Sequence, residues 1–348
     1  MLVKPNPYYN YFQYLPARSK TYLTASQFDQ YTTQMVSSGK LLNIGSSLIS
    51  NQDTYGVNAL IMYANAALES GWGQSQIAIN KNNLFGHGAV DSNPYYGANG
   101  YASVDDCIKY HAKVFISEGY CDPKDYSGRY YGSHLGDKES GINVKYASDP
   151  YWGEKIASLC WEVQNGLGIN EVNAYSIGMA NGSVSYYTNP GSNLLFSSKN
   201  VGAYPIVLLA KQDGYYKVQS DATLNSNRTS VTQDNGAYDF NLYYAYISQD
   251  SVSVLGIGKW VQDENGNRYW YENNSYVTGW KLIQSKYYYF DSNGYVVSGW
   301  QVINGNWYYF NGSGAMLKSQ WIGNYYVGKD GIMTKSQWIG NDYVDSNG

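Results

Sequence analysis

Charge is scarce in this chain. Asp, Glu, Lys and Arg together make up 14% of its 348 residues, and the net charge is -4. No basic field therefore steers it toward nucleic acid. Long apolar runs are also lacking: no stretch of 18 apolar residues exists, so no membrane span is expected. Met1 to Pro16 contains no apolar signal core, and the expectation is a leader already removed or another export route. Cysteine is limited to Cys107, Cys121 and Cys160, an odd number without metal-ligand spacing. Cys107 and Cys160 fall on apolar helix faces and read as buried free thiols. The three histidines, His87, His111 and His134, are scattered, and His111 shares a face with Cys107. No metal site, Cys-His nucleophile or cofactor is expected.

Aromatic residues are abundant instead, with 40 Tyr and 10 Trp. That is too much aromatic surface for a disordered chain, and the length suffices for two or three domains. Residues 1–40 are polar and Tyr-rich, with Pro5, Pro7 and Pro16, and read as an extended lead-in. Leu41, Ile44, Leu48 and Ile49 recur at helical spacing. A second helix is expected from Asn58 as N-cap to Ser70, with Leu60, Tyr63, Ala64, Ala67 and Leu68 on its core face and Gly71 just past its end. A loop comes next, around Asn82-Asn83-Leu84-Phe85-Gly86. Ser103 opens another helix, and a long polar connection runs from Gly119 to Val144. Asp149-Pro150 reads as N-cap and first residue of a last helix.

Glu69 is the residue of chemical interest. It lies in the last turn of its helix, where unpaired carbonyls disfavour a carboxylate, between Leu68 and Trp72. Both effects push its pKa up, which suits a general acid that protonates a leaving oxygen.

From about Asn173 short β-type runs replace helical spacing: Val184–Tyr187, Ile206–Leu209, Tyr215–Val218 and Tyr244–Ile247, separated by glycine-containing turns. They predict a small all-β barrel. The last region repeats. Trp260, Trp280, Trp300, Trp321 and Trp338 recur at intervals of about twenty residues, with Tyr-rich strands between them and Asn-Gly type turns. Each unit is one hairpin, and stacking supplies the core. Residues 258–348 carry equal numbers of acidic and basic residues, so binding there would use aromatic faces. The chain stops within a repeat, as expected of a truncated array.

Three blocks carry a resemblance. Ala67-Leu68-Glu69-Ser70-Gly71-Trp72-Gly73, Asn82-Asn83-Leu84-Phe85-Gly86 and Gly141-Ile142-Asn143-Val144-Lys145-Tyr146-Ala147-Ser148-Asp149-Pro150-Tyr151-Trp152-Gly153-Glu154-Lys155 resemble glycoside hydrolase family 73. These are bacterial endo-β-N-acetylglucosaminidases of the autolysin type, and the similarity covers roughly residues 20–165. Residues 173–256 resemble a bacterial SH3-type domain, and the repeats resemble cell-wall or choline-binding repeats. The resemblance implies a multidomain chain: a mainly α, lysozyme-like (α+β) catalytic domain over 1–170, an all-β SH3-like barrel over 171–257 and a β-hairpin repeat solenoid over 258–348.

By resemblance, Glu69 is the general acid and Tyr146 an active-site tyrosine whose hydroxyl orients the N-acetyl group or the attacking species. Trp72, Asn83, Phe85, His87, Tyr151 and Trp152 are the substrate-binding candidates. His87 departs from the family pattern, which has an apolar residue there. The second carboxylate stays open among Asp91, Glu118, Asp122, Asp125, Asp137 and Glu139, with Asp122 favoured. A distant second carboxylate implies inversion through a bound water and a close one implies retention; a third route uses the substrate's own 2-acetamido group as nucleophile. Trp260, Trp270, Trp280, Tyr288, Trp300, Trp307, Trp321 and Trp338 are the candidates for a wall ligand, either choline or sugar. The implied partners are peptidoglycan glycan strands and a cell-wall polymer, and the implied location is secreted and wall-associated. A muramidase or lytic transglycosylase of the same fold, or a non-catalytic adhesion protein, are the competing readings.

Overall fold

Asn58 starts the central helix. Its Oδ1 accepts the N–H groups of Leu60 at 3.0 Å and Ile61 at 3.3 Å, satisfying donors that the first turn leaves unpaired. Ten of the twelve residues Ala59–Ser70 are buried, so the helix is wrapped on all sides rather than on one stripe. Gly71 ends it in the left-handed conformation, as expected from the sequence.

The computed structural model describes residues 8–348 except Asp91, Asn170, Asn173, Asp234, 255–258, 264–265, 273–274 and 284–285. Around the central helix, α4 (Ala59–Ser70), lie α1 (Tyr8–Tyr14), α2 (Ala25–Met35), α3 (Gly45–Tyr55), α5 (Gln76–Lys81), α6 (Pro94–Gly97), α7 (Val104–Tyr110) and α8 (Trp152–Gly166). A π-helix, His111–Tyr120, continues α7, and a single 3-10 turn, Ile142–Val144, precedes α8. α8 packs across α1 and α4. The first forty residues are not an extended lead-in. They hold α1 and α2, the latter closed by a capping box between Thr24 and Gln27. Their inward residues Tyr11, Phe12, Phe28 and Tyr31 are aromatic rather than aliphatic, so no aliphatic stripe marks them in the sequence. α8 also begins later than expected, at Trp152. Asp149 sits ahead of it, accepting the Tyr151 N–H at 2.9 Å and a Lys155 ammonium at 2.5 Å.

Strands β1 (Ser176–Ala180), β2 (Ser185–Tyr187), β3 (Leu194–Ser197), β4 (Tyr204–Gln212), β5 (Tyr215–Gln219), β6 (Tyr244–Ser248) and β7 (Ser253–Val254) form one sheet. Its order is β3-β2-β6-β5-β4-β1-β7, with antiparallel neighbours throughout. Tyr186, Phe196, Ile206, Val218, Ala245 and Ile247 pack beneath it, together with Tyr130 from the connection that precedes α8. Polar bonds reinforce this joint. Buried Asp221 accepts hydroxyls from Tyr204 at 2.6 Å, Tyr130 at 2.9 Å and Ser133 at 2.5 Å. Buried Arg18 donates to the backbone carbonyls of Asp221, Tyr55 and Ser117. Burial holds the Asp221 carboxyl above the usual range, and the three hydroxyl donors and Arg18 pull against it.

The chain divides into two compact units, Met1–Leu255 and Gly256–Gly348. In the second, β8 (Lys259–Gln262), β9 (Arg268–Glu272) and β10 (Ser275–Tyr276) form a small sheet. Four hairpins come after it: β11 (Gly279–Ile283) with β12 (Lys286–Phe290), β13 (Gly299–Ile303) with β14 (Asn306–Phe310), β15 (Gln320–Ile322) with β16 (Tyr325–Val327), and β17 (Gln337–Ile339) with β18 (Asp342–Val344). In each of the four a Trp faces a Tyr across the strands: Trp280 and Tyr289, Trp300 and Tyr309, Trp321 and Tyr326, Trp338 and Tyr343. Consecutive units are stitched by backbone bonds such as Met316 N–H to Tyr287 O and Met333 N–H to Trp307 O, both 2.8 Å.

Tyr204→Phe removes one donor from a buried carboxylate. It should lower stability by about 1–3 kcal/mol, read as a fall in the thermal unfolding midpoint of the whole Met1–Leu255 unit.

Candidate active site

The end of α4 places Glu69 at the surface, and the turn after it is tightly specified. Gly73 has φ +77, and a Cβ there would lie 2.4 Å from the backbone nitrogen of Leu41. Ser70 accepts the Gly73 N–H at 2.7 Å and donates to the Ala66 carbonyl at 2.5 Å. Glu69 is thus held on a fixed backbone. Its Oε1 accepts the indole N–H of Trp152 at 2.8 Å, from the first turn of α8. Its Oε2 faces the loop at Gly86, where a Cβ would come to 4.0 Å. The residue is exposed by area, yet its carboxyl is flanked by protein on these sides. The resulting desolvation holds its pKa above the ordinary carboxylate value, and the Trp152 N–H, which favours the charged form, opposes that rise.

Tyr146 adjoins this pair. Its ring stacks on Trp152 with centroids 4.3 Å apart, and its hydroxyl accepts from Asn65 Nδ2 at 3.1 Å. Asn65 is one turn before Glu69 on α4, so the two side chains share a face. Burial, then the charge of Glu69, drives the Tyr146 pKa well up, and the phenol stays protonated. A proton donor, an indole that holds it and a neutral phenol therefore meet at one place. This arrangement can deliver a proton to an oxygen and offer a hydrogen bond beside it.

The model of the family described as mannosyl-glycoprotein endo-beta-N-acetylglucosaminidase matches residues 45–165. Residues 45–165 belong to the glucosaminidase family. Two choline-binding repeat models match residues 277–321 and 315–348. The chain is 46% identical over 136 residues to proteins of two Streptococcus pneumoniae strains, TIGR4 and R6, both named as inferred endo-beta-N-acetylglucosaminidases. The similarity covers 37% of this chain and 20% and 18% of those proteins, so the chain spans about a fifth of the curated relatives' length. Among solved structures, a catalytic mutant of S. aureus autolysin E bound to the disaccharide NAG-NAM is 25% identical, covering 46% of this chain and 74% of that one, with a TM-score of 0.37. The choline-binding domain of Spr1274 from Streptococcus pneumoniae is 34% identical, covering 21% of this chain and 92% of that one, with a TM-score of 0.20.

Within the glucosaminidase domain the sequence-selected residues have different placements. Glu69, Tyr146 and Trp152 come together. Trp152 is 3% exposed, and its N–H is spent on Glu69. Tyr151, beside it, is 48% exposed and free to meet a ligand. Trp72 packs between Tyr31 and Tyr63, at 6.2 and 6.4 Å. Asn83 is buried and ties its loop, donating to the carbonyls of His87 and Asn99 and accepting from Phe85 and His87 N–H. Phe85 is buried against His111, and His87 is buried as well. Asp122 is not grouped with Glu69. It is buried, accepting from the Gln233 amide and the Lys124 N–H. Asp125 is paired with Arg129 at 3.0 Å, and Asp137 accepts the N–H groups of Glu139 and Ser140. Asp91 lies outside the described residues. All three cysteines are free and buried. Asn65 was missed by the sequence reading, although its position four residues before Glu69 was a usable signal.

In the hairpin unit, Trp280 meets Tyr289 of its own hairpin at 5.3 Å and Tyr308 of the next at 4.9 Å, both edge-on. Trp300 repeats this with Tyr309 at 5.2 Å and Tyr325 at 5.4 Å. Trp280, Trp307, Trp321 and Trp338 are exposed, and Trp260 and Trp300 half-buried. Trp260 has the same surroundings, edge-on to Trp270 at 5.4 Å and Tyr288 at 5.0 Å, although Trp270 and Tyr288 are themselves buried with Ile283 and Phe290. Their alternating strand positions face the neighbouring unit.

Trp152→Phe keeps the stack on Tyr146 but removes the donor to the Glu69 carboxylate. The Glu69 pKa should rise further. A general acid works while protonated, so its rate is lost as pH rises through its pKa. The alkaline limb of kcat/KM should therefore move to higher pH in the variant; an unmoved or lowered limb would remove Glu69 as the titrating acid.

Proposed function

We propose that this chain hydrolyses the GlcNAc-β-1,4-MurNAc bond of bacterial peptidoglycan, with Glu69 as the general acid. The observation that carries the reading is Glu69 itself: a surface residue whose desolvated carboxyl has a raised pKa, fixed by the Trp152 N–H beside a neutral tyrosine, inside a segment that matches the glucosaminidase family. Tyr146 acts on the bound sugar next to the transferred proton. With Asp122 and Asp125 committed to Gln233 and Arg129, the reading that fits best uses the substrate's 2-acetamido group or one of the remaining carboxylates Asp91, Glu118, Asp137 and Glu139. Tyr151 is the favoured glycan contact.

The proposed organisation is a catalytic domain over 1–170, an SH3-type barrel over 171–257 and a solenoid of wall-binding hairpins over 258–348, placing the protein outside the cell on the wall. Trp280 and Trp300, each with two edge-on tyrosines, make three sides of a cage suited to a quaternary ammonium, worth about 0.5–2 kcal/mol per aromatic contact. Several weak cages on one array act together through effective concentration.

Digestion of purified peptidoglycan tests the reaction. Reducing-end GlcNAc is the expected product. Reducing-end MurNAc or its anhydro form would make the enzyme a muramidase or transglycosylase, and no product would leave a binding protein. Glu69→Gln should cost about 10²–10⁴-fold or more in rate with the fold intact by circular dichroism. Asp122→Asn should change turnover little and lower the unfolding midpoint instead, because its partner Gln233 belongs to the sheet region.

Removal of 256–348 should leave cleavage of short soluble glycans nearly unchanged and sharply reduce binding to intact walls. Millimolar choline should release the full chain from walls, whereas added salt should not, because the array carries no net charge. Competition by oligosaccharide in place of choline would make the array a sugar platform.

A further inference from the structure

Behind Tyr146 runs a buried line of polar groups that the proposed reaction does not use. Tyr101 Oη lies 2.8 Å from His87 Nδ1. His87 Nε2 lies 3.1 Å from His111 Nδ1. His111 Nε2 lies 3.4 Å from Asn65 Nδ2, whose amide also reaches Tyr146 Oη at 3.1 Å. Four elements contribute: the loop after α5, the residues ahead of α7, the π-helix and α4. The π-helix begins at His111, and such widened turns recur at functional sites. The rings are locked. His111 stacks on Phe85, with centroids 3.6 Å apart and planes 1° apart, and His87 is enclosed by Phe85, Tyr101, Tyr110 and Phe115. Among the described residues no ion pair reaches either imidazole.

We propose that His87 and His111 are positioning residues for the reaction: they fix the Asn65 amide, and through it they make the Tyr146 hydroxyl a hydrogen-bond donor toward an oxygen of the bound sugar beside Glu69. The inference rests on the glycosidase reading above and adds the direction of one hydrogen bond to it.

Direction follows from donor counting. Burial lowers the His87 pKa to about 4, and burial together with the neighbouring His87 lowers that of His111 well below the usual value. Both rings are therefore neutral, with one N–H and one lone pair each. Asn65 Nδ2 donates to His111 Nε2, so the His111 proton sits on Nδ1 and is given to His87 Nε2. The His87 proton then sits on Nδ1 and is given to Tyr101. The second Asn65 N–H fills a lone pair of Tyr146, whose own proton is left for a partner outside this line. Asn65 Oδ1 is buried with no hydrogen-bond partner among the described residues. Turning the amide would pair Oδ1 with His111 and Tyr146 but place both N–H donors where Oδ1 now finds no partner, so the orientation shown leaves one unpaired acceptor instead of two unpaired donors. The reverse tautomers would turn the amide and make Tyr146 an acceptor on its outer side.

The test is made on the full chain. Nitrogen-15 spectra of the imidazoles at neutral pH should show a protonated Nδ1 and a bare Nε2 on both His87 and His111; protonated Nε2 on both would overturn the assignment. Kinetics supply the second arm. His111→Phe keeps the ring on Phe85 and removes both nitrogens. It should lower kcat by about tenfold with KM changed less than about twofold. In a Tyr146→Phe background the same substitution should cost less than about twofold, because nothing is left to orient. Equal losses in the two backgrounds would overturn the positioning role. If His111→Phe does not fold, Tyr101→Phe at the far end of the line gives the same comparison, with an expected loss of about threefold that vanishes without the Tyr146 hydroxyl. A wild-type chain that releases no reducing-end GlcNAc would sink the glucosaminidase reading alone, and the imidazole spectra would still decide the direction of the line.

Discussion

The site depends on one hydrogen bond, from the indole of Trp152 to Glu69. It is the only described side-chain bond to that carboxyl, and it joins two helices 83 residues apart in sequence. Desolvation pushes the carboxyl toward its protonated form, and a lone N–H donor restrains that push without cancelling it. A second donor would favour a permanent anion, and none would leave the side chain free to rotate. Because Trp152 also carries Tyr146 on its face, the same bond sets where the acid and the phenol stand relative to each other. The first turn of α8 and the last turn of α4 must therefore be placed together, and the packing of α8 across α4 accomplishes this.

Parts of this were legible in the chain. Asn58, the apolar spacing after it and Gly71 mark α4 through local rules, and they marked it to the residue. Glu69 followed from its place in that helix, and Tyr146 from a motif. The features that stayed hidden depend on partners distant in sequence. His87 and His111 carry no spacing signal, and a buried imidazole on an apolar face reads as core, which both also are. Asp122 sits in a long polar connection, where an unpaired carboxylate is a natural candidate; its partner Gln233 is 111 residues away. The first two helices hide because tyrosine serves as both a core and a surface residue, which blurs the pattern that aliphatic residues would draw. Among the repeats, tryptophan periodicity gave the hairpins, but the same periodicity covers outward rings such as Trp280 and the buried Trp270.

The hairpin unit solves a packing problem that a single hairpin cannot. Phe290, Phe310, Val327 and Val344 end their hairpins at equivalent positions, and each of them is buried. A lone hairpin has one layer and would leave these side chains in water, so their burial depends on neighbouring units. The Trp–Tyr pairs then remain at the margin, where an aromatic face is available without being part of the core.

The buried joint between Arg18, Tyr130, Ser133 and Asp221 has a consequence for how this protein could have been assembled. Asp221 comes from the sheet, but its donors Tyr130 and Ser133 come from the helical part, and Tyr130 also fills the sheet's apolar core. Two modules that merely succeed each other on a string can be exchanged by recombination at the linker, since neither owns a piece of the other's interior. Here a cut near residue 170 would strip the sheet of a core ring and leave the Asp221 carboxyl with Tyr204 alone of its three hydroxyl donors. The sheet and the helical part share one interior, so separating them would cost both.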